Sequence, residues 1–105
     1  MKGNTNSTVE KSVSGGTSPV TWVQRGNVVT VNIIALQVTA GTEKEVVTGL
    51  PIPANANSSM NINFYMSANY GDQGCLGYIT NTGSFRYNSR VSATIYSIVT
   101  YVTDA

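Results

Sequence analysis

The sequence predicts an all-β domain, an antiparallel β-sandwich of jelly-roll-like character. Three observations point there. β-branched and aromatic residues gather in runs separated by clusters of Gly, Asn, Ser, Thr and Pro, while no segment carries an apolar stripe at helical spacing. The runs are short, about seven in number, with turn signals roughly every 8–12 residues, the rhythm of a sandwich or barrel. Finally, only 10% of the residues are charged, against roughly 25% in ordinary soluble domains. Such a surface has few charges to guard its sheet edges and favours self-association. The chain of 105 residues allows one domain with one core.

The elements follow in order. Residues 1–18 are rich in Gly, Ser, Thr and Asn, with Val9 and Val13 the only apolar members after Met1. They read as a flexible arm or linker, or else as a weak edge strand around residues 8–13, ended by Pro19. The head domain is expected over 19–105. Val20–Arg25 is the first strand, and Gly26-Asn27 makes a two-residue hairpin turn into Val28–Val38. A turn at Ala40-Gly41-Thr42 leads to a strand over 43–48. Pro51, Pro53 and the polar run 54–59 form a loop excluded from a sheet interior.

Residues 60–68 alternate most cleanly. Met60, Ile62, Phe64, Met66 and Ala68 share one face, and Asn61, Asn63, Tyr65 and Ser67 the other. Residues 70–74 form a loop. Strands over 75–80 and 84–88 flank a hairpin tip at Asn81-Thr82-Gly83, and 91–103 is the last strand. Both this strand and Val28–Val38 look apolar on two faces: Val29, Val31, Ile33 and Ala35 against Val28, Ile34, Leu36 and Val38, and Val91, Ala93, Ile95, Val99 and Tyr101 against Tyr96, Ile98 and Val102. Central strands covered by loops would explain this, but a second copy of the chain explains it better.

Catalytic machinery is missing from the sequence. Without histidine there is neither the usual general base nor the commonest zinc ligand, and a single cysteine, Cys75, excludes both a disulfide framework and a structural zinc site. Glu43 and Glu45 would share a strand face beside a turn, as a solvated hairpin end does, and Asp72 has no second acid for glycoside hydrolysis. The expectation is a non-enzyme with no cofactor and no metal. A net charge of +1 with scattered basic residues argues against nucleic acid as a partner. No apolar run is long enough to span a membrane, and the N-terminal MKGNTNSTVEK has no signal-peptide core.

Binding residues are sought in the loops. Asn69, Tyr70 and Asp72 combine an aromatic ring with amide and carboxylate oxygens, a set suited to sugars, although a plain Gly-Asp turn has the same composition. Arg86, Tyr87 and Arg90 form a second polar-aromatic cluster, of types favoured as binding anchors and equally ordinary as outward residues on a β-hairpin. Trp22 is either a core anchor or a carbohydrate platform, and a lone Trp is more often core.

In its order of pieces the chain resembles the C-terminal head domain of tailed-phage tail-fibre and baseplate receptor-binding proteins. The resemblance rests on Trp22-Val23-Gln24-Arg25-Gly26-Asn27-Val28-Val29-Thr30-Val31, then Thr48-Gly49-Leu50-Pro51-Ile52-Pro53, then Gly77-Tyr78-Ile79 with Thr82-Gly83 at a hairpin tip, and a Tyr/Thr-rich final strand. It implies a homotrimer in a virion tail appendage, assembled in the bacterial cytoplasm, with other virion proteins and a host cell-surface polysaccharide as partners. Some such domains are instead structural modules: fibre spacers, trimerisation knobs or capsid decorations. Family members usually carry an anchoring region upstream, so the chain is expected to be part of a larger assembly.

Overall fold

The computed structural model describes residues 12–57, 61–68 and 75–104, and among these the regular structure is antiparallel β with no helix. Nine strands succeed one another: β1 (Ser12–Thr17), β2 (Val20–Arg25), β3 (Val28–Val38), β4 (Gly41–Val47), β5 (Ile62–Tyr65), β6 (Ser67–Ala68), β7 (Cys75–Ile79), β8 (Phe85–Ser89) and β9 (Ala93–Val102). They build a five-stranded sheet, β1-β2-β3-β9-β6, and a four-stranded sheet, β4-β8-β7-β5. One buried apolar cluster draws on both: Val29, Val31, Ile33, Ile95 and Tyr101 from the first, Cys75, Ile79, Phe85 and Tyr87 from the second. Each such side chain stabilises the fold by about 1.5–3 kcal/mol on burial. The arrangement is that of a β-sandwich.

The long β3–β9 ladder forms its backbone. It runs in register from Val28↔Val102 to Ile33↔Ser97, then resumes at Leu36↔Ile95. Ile34 and Ala35 therefore stand against Tyr96 alone, a β-bulge, with Ala35 in the left-handed region at φ 58°. The extra residue shifts the alternation by one. Val29, Val31 and Ile33 are buried before the bulge, Leu36 and Val38 after it. The expectation of two apolar faces on this strand is corrected accordingly, because Leu36 and Val38 join the same core as Val29. On β9 the expectation stands: Ala93, Ile95 and Tyr101 are buried, while Tyr96, Ile98 and Val102 are exposed.

Two further differences from the sequence reading have local causes. Residues 12–17, assigned to the arm, pair with β2 from Ser12↔Arg25 to Thr17↔Val20. The Trp22 indole lies across Gly15 in that strand, where an added Cβ would come within 2.5 Å of the ring. The strand expected over 60–68 changes sheets at buried Met66, whose N–H donates to the Cys75 carbonyl at 3.1 Å. β5 before it pairs with β7, and β6 after it pairs with β9. Strands that switch sheets make the corners of a sandwich.

The proline loop straps one end. The Leu50 N–H donates to the Gly83 carbonyl, the Tyr101 hydroxyl to the Pro51 carbonyl, and the Ala54 N–H to the Val102 carbonyl. Pro53 forms an isolated bridge with Thr103. Gly83 has φ 81°, and a Cβ there would lie 2.2 Å from the Leu50 carbonyl oxygen, so this hairpin tip accepts only glycine.

Two measurements test this packing. In urea unfolding, Ala35→Gly should raise stability by about 0.5–1 kcal/mol by relieving the left-handed backbone, and Ala35→Val should lower it by about 1–2 kcal/mol. Burial also pushes the Tyr101 phenol up to about 12 from its ordinary 10. The unfolded chain then releases this proton first, so the stability is fully present below pH 10 and is lost as pH rises through 12. The loss is roughly 2–3 kcal/mol. Alkaline unfolding of Tyr101→Phe should be shallower over that window by this amount.

Candidate functional site

The outward side of the four-stranded sheet brings distant polar residues into rows. Strand register aligns Asn63, Tyr78, Arg86 and Glu45 across β5, β7, β8 and β4, and beside them Tyr65, Leu76 and Asn88. Cross-strand neighbours on one face lie about 4.5–5.5 Å apart, so each row is a line of contacts. At the β4 edge the ladder is irregular between Gly41 and Lys44, and Glu43 sits there at φ 50°. Its N–H donates to Asn88 Oδ1 at 2.7 Å, which holds the unusual backbone in place.

A cleft of about 340 Å³ opens here, lined by Glu43, Tyr78, Arg86 and Asn88 and by Thr80, Asn81 and Thr82 at the hairpin end. The hairpin end is preorganised. Thr80 Oγ1 accepts the N–H groups of Ser84 and Thr82 and shares a hydrogen bond with the Thr82 hydroxyl at 3.0 Å. The Thr80 N–H donates to the Ser84 carbonyl, and the Gly83 N–H to the Thr80 carbonyl.

Arg86 is held on three sides. Nη2 donates to Glu45 Oε1 at 3.0 Å, Nη1 to the Glu43 carbonyl at 3.1 Å, and Nε to Ser84 Oγ at 3.3 Å. Tyr78 is almost wholly covered. Burial raises its phenol above the ordinary value, Glu43 raises it further, and Arg86 opposes both. The hydroxyl therefore stays protonated near neutral pH. Cys75 is buried, and burial pushes its thiol up more than a hydrogen bond with Ser89 lowers it. Among the described residues no group of three or more Cys, Asp or Glu side chains converges as metal ligands would.

The structure separates the residues singled out in the sequence. Arg86 lines the cleft. Its neighbour Tyr87 points the other way, is buried in the core, and accepts the Thr39 N–H on its hydroxyl at 3.0 Å, leaving no ring face for a sugar. Arg90 is exposed, one residue beyond β8. Trp22 is partly buried and packs against the core cluster, the anchor role rather than the platform. Asn69, Tyr70 and Asp72 lie outside the described residues. The sequence reading missed Tyr78, Glu43, Asn88 and Thr80. Alternation would have placed Tyr78 opposite Cys75, Gly77 and Ile79, but its partners Glu43 and Arg86 come from other strands and only register reveals them.

The outward side of the five-stranded sheet is different in kind. Ile98 (63% exposed), Ile34 (60%), Tyr96 (52%), Val102 and Val28 lie open there, beside a hollow lined by Val23, Arg25, Thr30 and Asn32. Comparison with known proteins gives no match to any family model, curated protein or solved structure.

The two arginines supply a test. Arg86→Ala should cost about 1–2 kcal/mol in urea unfolding, because a half-exposed ion pair contributes little but three hydrogen bonds are lost together. Arg90→Ala should change stability by less than about 0.5 kcal/mol.

Proposed function

We propose that this chain is a non-enzymatic adhesion domain of a tailed-phage tail appendage, a homotrimeric, jelly-roll-like β-sandwich that recognises a host cell-surface saccharide. The observation that carries this reading is the contrast between its two outer faces. One presents Ile34, Tyr96, Ile98, Val28 and Val102 to solvent, exposed apolar side chains of a kind that marks interaction surfaces when they lie on one face. The other presents the cleft around Glu43, Tyr78, Arg86 and Asn88. The first face suits contact between copies, and the second suits a polyhydroxylated ligand, whose vicinal hydroxyls bind carboxylate, amide and hydroxyl groups at fixed spacing. The order of sequence pieces from Trp22 to Thr103, which resembles phage receptor-binding heads, supplies the biological setting: a virion assembled in the bacterial cytoplasm, with neighbouring virion proteins as further partners and neither nucleic acid nor membrane insertion.

One observation favours a second reading. Arg86 already makes three hydrogen bonds within the chain, one from each of its nitrogens, as a structural residue does. On that reading the domain is a spacer, trimerisation knob or capsid decoration without sugar affinity.

An array of bacterial envelope polysaccharides separates the two. The labelled chain is expected to bind at least one glycan, and Asn88→Ala, which releases the Glu43 N–H, should weaken binding about tenfold, the value of one lost charge-neighbouring hydrogen bond. Capture of a virion protein with no glycan signal would establish the structural reading instead.

A further inference from the structure

Tyr65 is the most exposed large side chain in the structure's apolar and aromatic set, at 83%. Its neighbours explain why it cannot turn inward. Phe64 occupies the core side of β5, lying over Gly77, where an added Cβ would meet its ring at 2.7 Å, and against Phe85 at a centroid distance of 5.7 Å. Tyr65 consequently stands on the outer side of the sheet, the side that carries the cleft. Register places it in line with Leu76 and Asn88. Two inter-strand spacings, about 10 Å, separate Tyr65 from Asn88. Half-buried Leu76 lies between them.

The charges on this face are also informative. Among the described residues Glu43 is the one carboxylate lining the cleft, and Arg86, the one arginine lining it, is paired with Glu45 and donates to the Glu43 carbonyl. With Arg86 paired to Glu45, the Glu43 carboxylate sets the charge that a ligand in the cleft meets. An anionic sugar would be repelled by Glu43 there, and the guanidinium it could pair with is already paired with Glu45. A neutral or amino sugar meets no such penalty, and an ammonium group would be attracted to Glu43.

We infer that the saccharide site continues across the sheet from the cleft to Tyr65, and that its ligand is a neutral or amino-sugar oligosaccharide of at least two rings. One ring is held by Glu43, Asn88 and the Thr82 hydroxyl. A further ring stacks its C–H face on Tyr65, the one aromatic face freely available on that side among the described residues. The inference rests on the saccharide reading above and deepens it.

Calorimetric titration of the full chain tests it, using as probes the neutral, amino-sugar and uronic-acid oligosaccharides that score on an array, together with the methyl glycosides of their terminal rings. The neutral or amino-sugar oligosaccharide should bind at least about fivefold more tightly than its methyl glycoside, and Tyr65→Ala should abolish that difference while leaving the methyl glycoside unaffected. Tyr65 is exposed, so the variant is expected to fold, and its unfolding midpoint checks this. A preference for uronic acids, or oligosaccharide binding indifferent to Tyr65→Ala, overturns the inference and leaves the saccharide reading standing. Absence of binding to every glycan overturns both.

Discussion

The pairing of β3 with β9 is the constraint on which the remaining structure hangs. These are the two longest strands, and they bring residues some seventy positions apart into register, Thr30 opposite Thr100. The ladder takes an extra residue at Ile34 and Ala35, which bends the strand and shifts its alternation by one. The cost is a left-handed Ala35 and an exposed Ile34. The return is that Leu36 and Val38 reach the same core as Val29, Val31 and Ile33. β2 and β6 pair onto the outer sides of this ladder, and the proline loop is fastened to the end of β9 through Tyr101, Val102 and Thr103.

The same bulge marks how far the sequence could be read. Strand existence was legible, because runs such as Val20–Arg25 or Phe85–Ser89 are bounded by turn residues whose chemistry is local: Gly26 at φ 60° and Gly83 at φ 81° sit where the turns were expected. The core face of β9 was legible for the same reason. Phase changes were not. A bulge and two apolar faces give the same string of residues, and only the partner strand decides between them. Met66 shows the limit again: the period of two continues through it unbroken, yet the chain leaves one sheet for the other there. The site was less legible than the fold. Arg86 is found by its residue type, but Tyr87, grouped with it by type, is sent into the core by alternation. Tyr78 and Asn88 are brought beside Arg86 and Leu76 by register, and Glu43 reaches Asn88 at the irregular step of the ladder, none of which a local pattern shows.

Polarity is divided between the two outer faces, and this links fold to function. The β3–β9 ladder turns Val28, Ile34, Tyr96, Ile98 and Val102 to the outside of one sheet. The short strands of the other sheet carry Glu45, Arg86, Tyr78 and Asn63 in one row and Asn88, Leu76 and Tyr65 in the next. The edges differ in the same sense. β4 is protected by Glu43, Lys44, Glu45 and two register shifts, so the charged edge resists adding another strand while its face remains open to a ligand. A domain of this kind can pack against copies of itself on one side and keep the opposite side for recognition.

Sedimentation equilibrium of the whole chain, alone and as Ile98→Lys, tests the self-association claim most directly. The chain has a mass of 11.1 kDa. The expected result is a species of three times that mass for the wild-type chain and a monomer for Ile98→Lys, since a charge at the centre of the exposed apolar face cannot be buried without a partner. A wild-type chain that stays monomeric at high concentration, or a trimer untouched by Ile98→Lys, would contradict it.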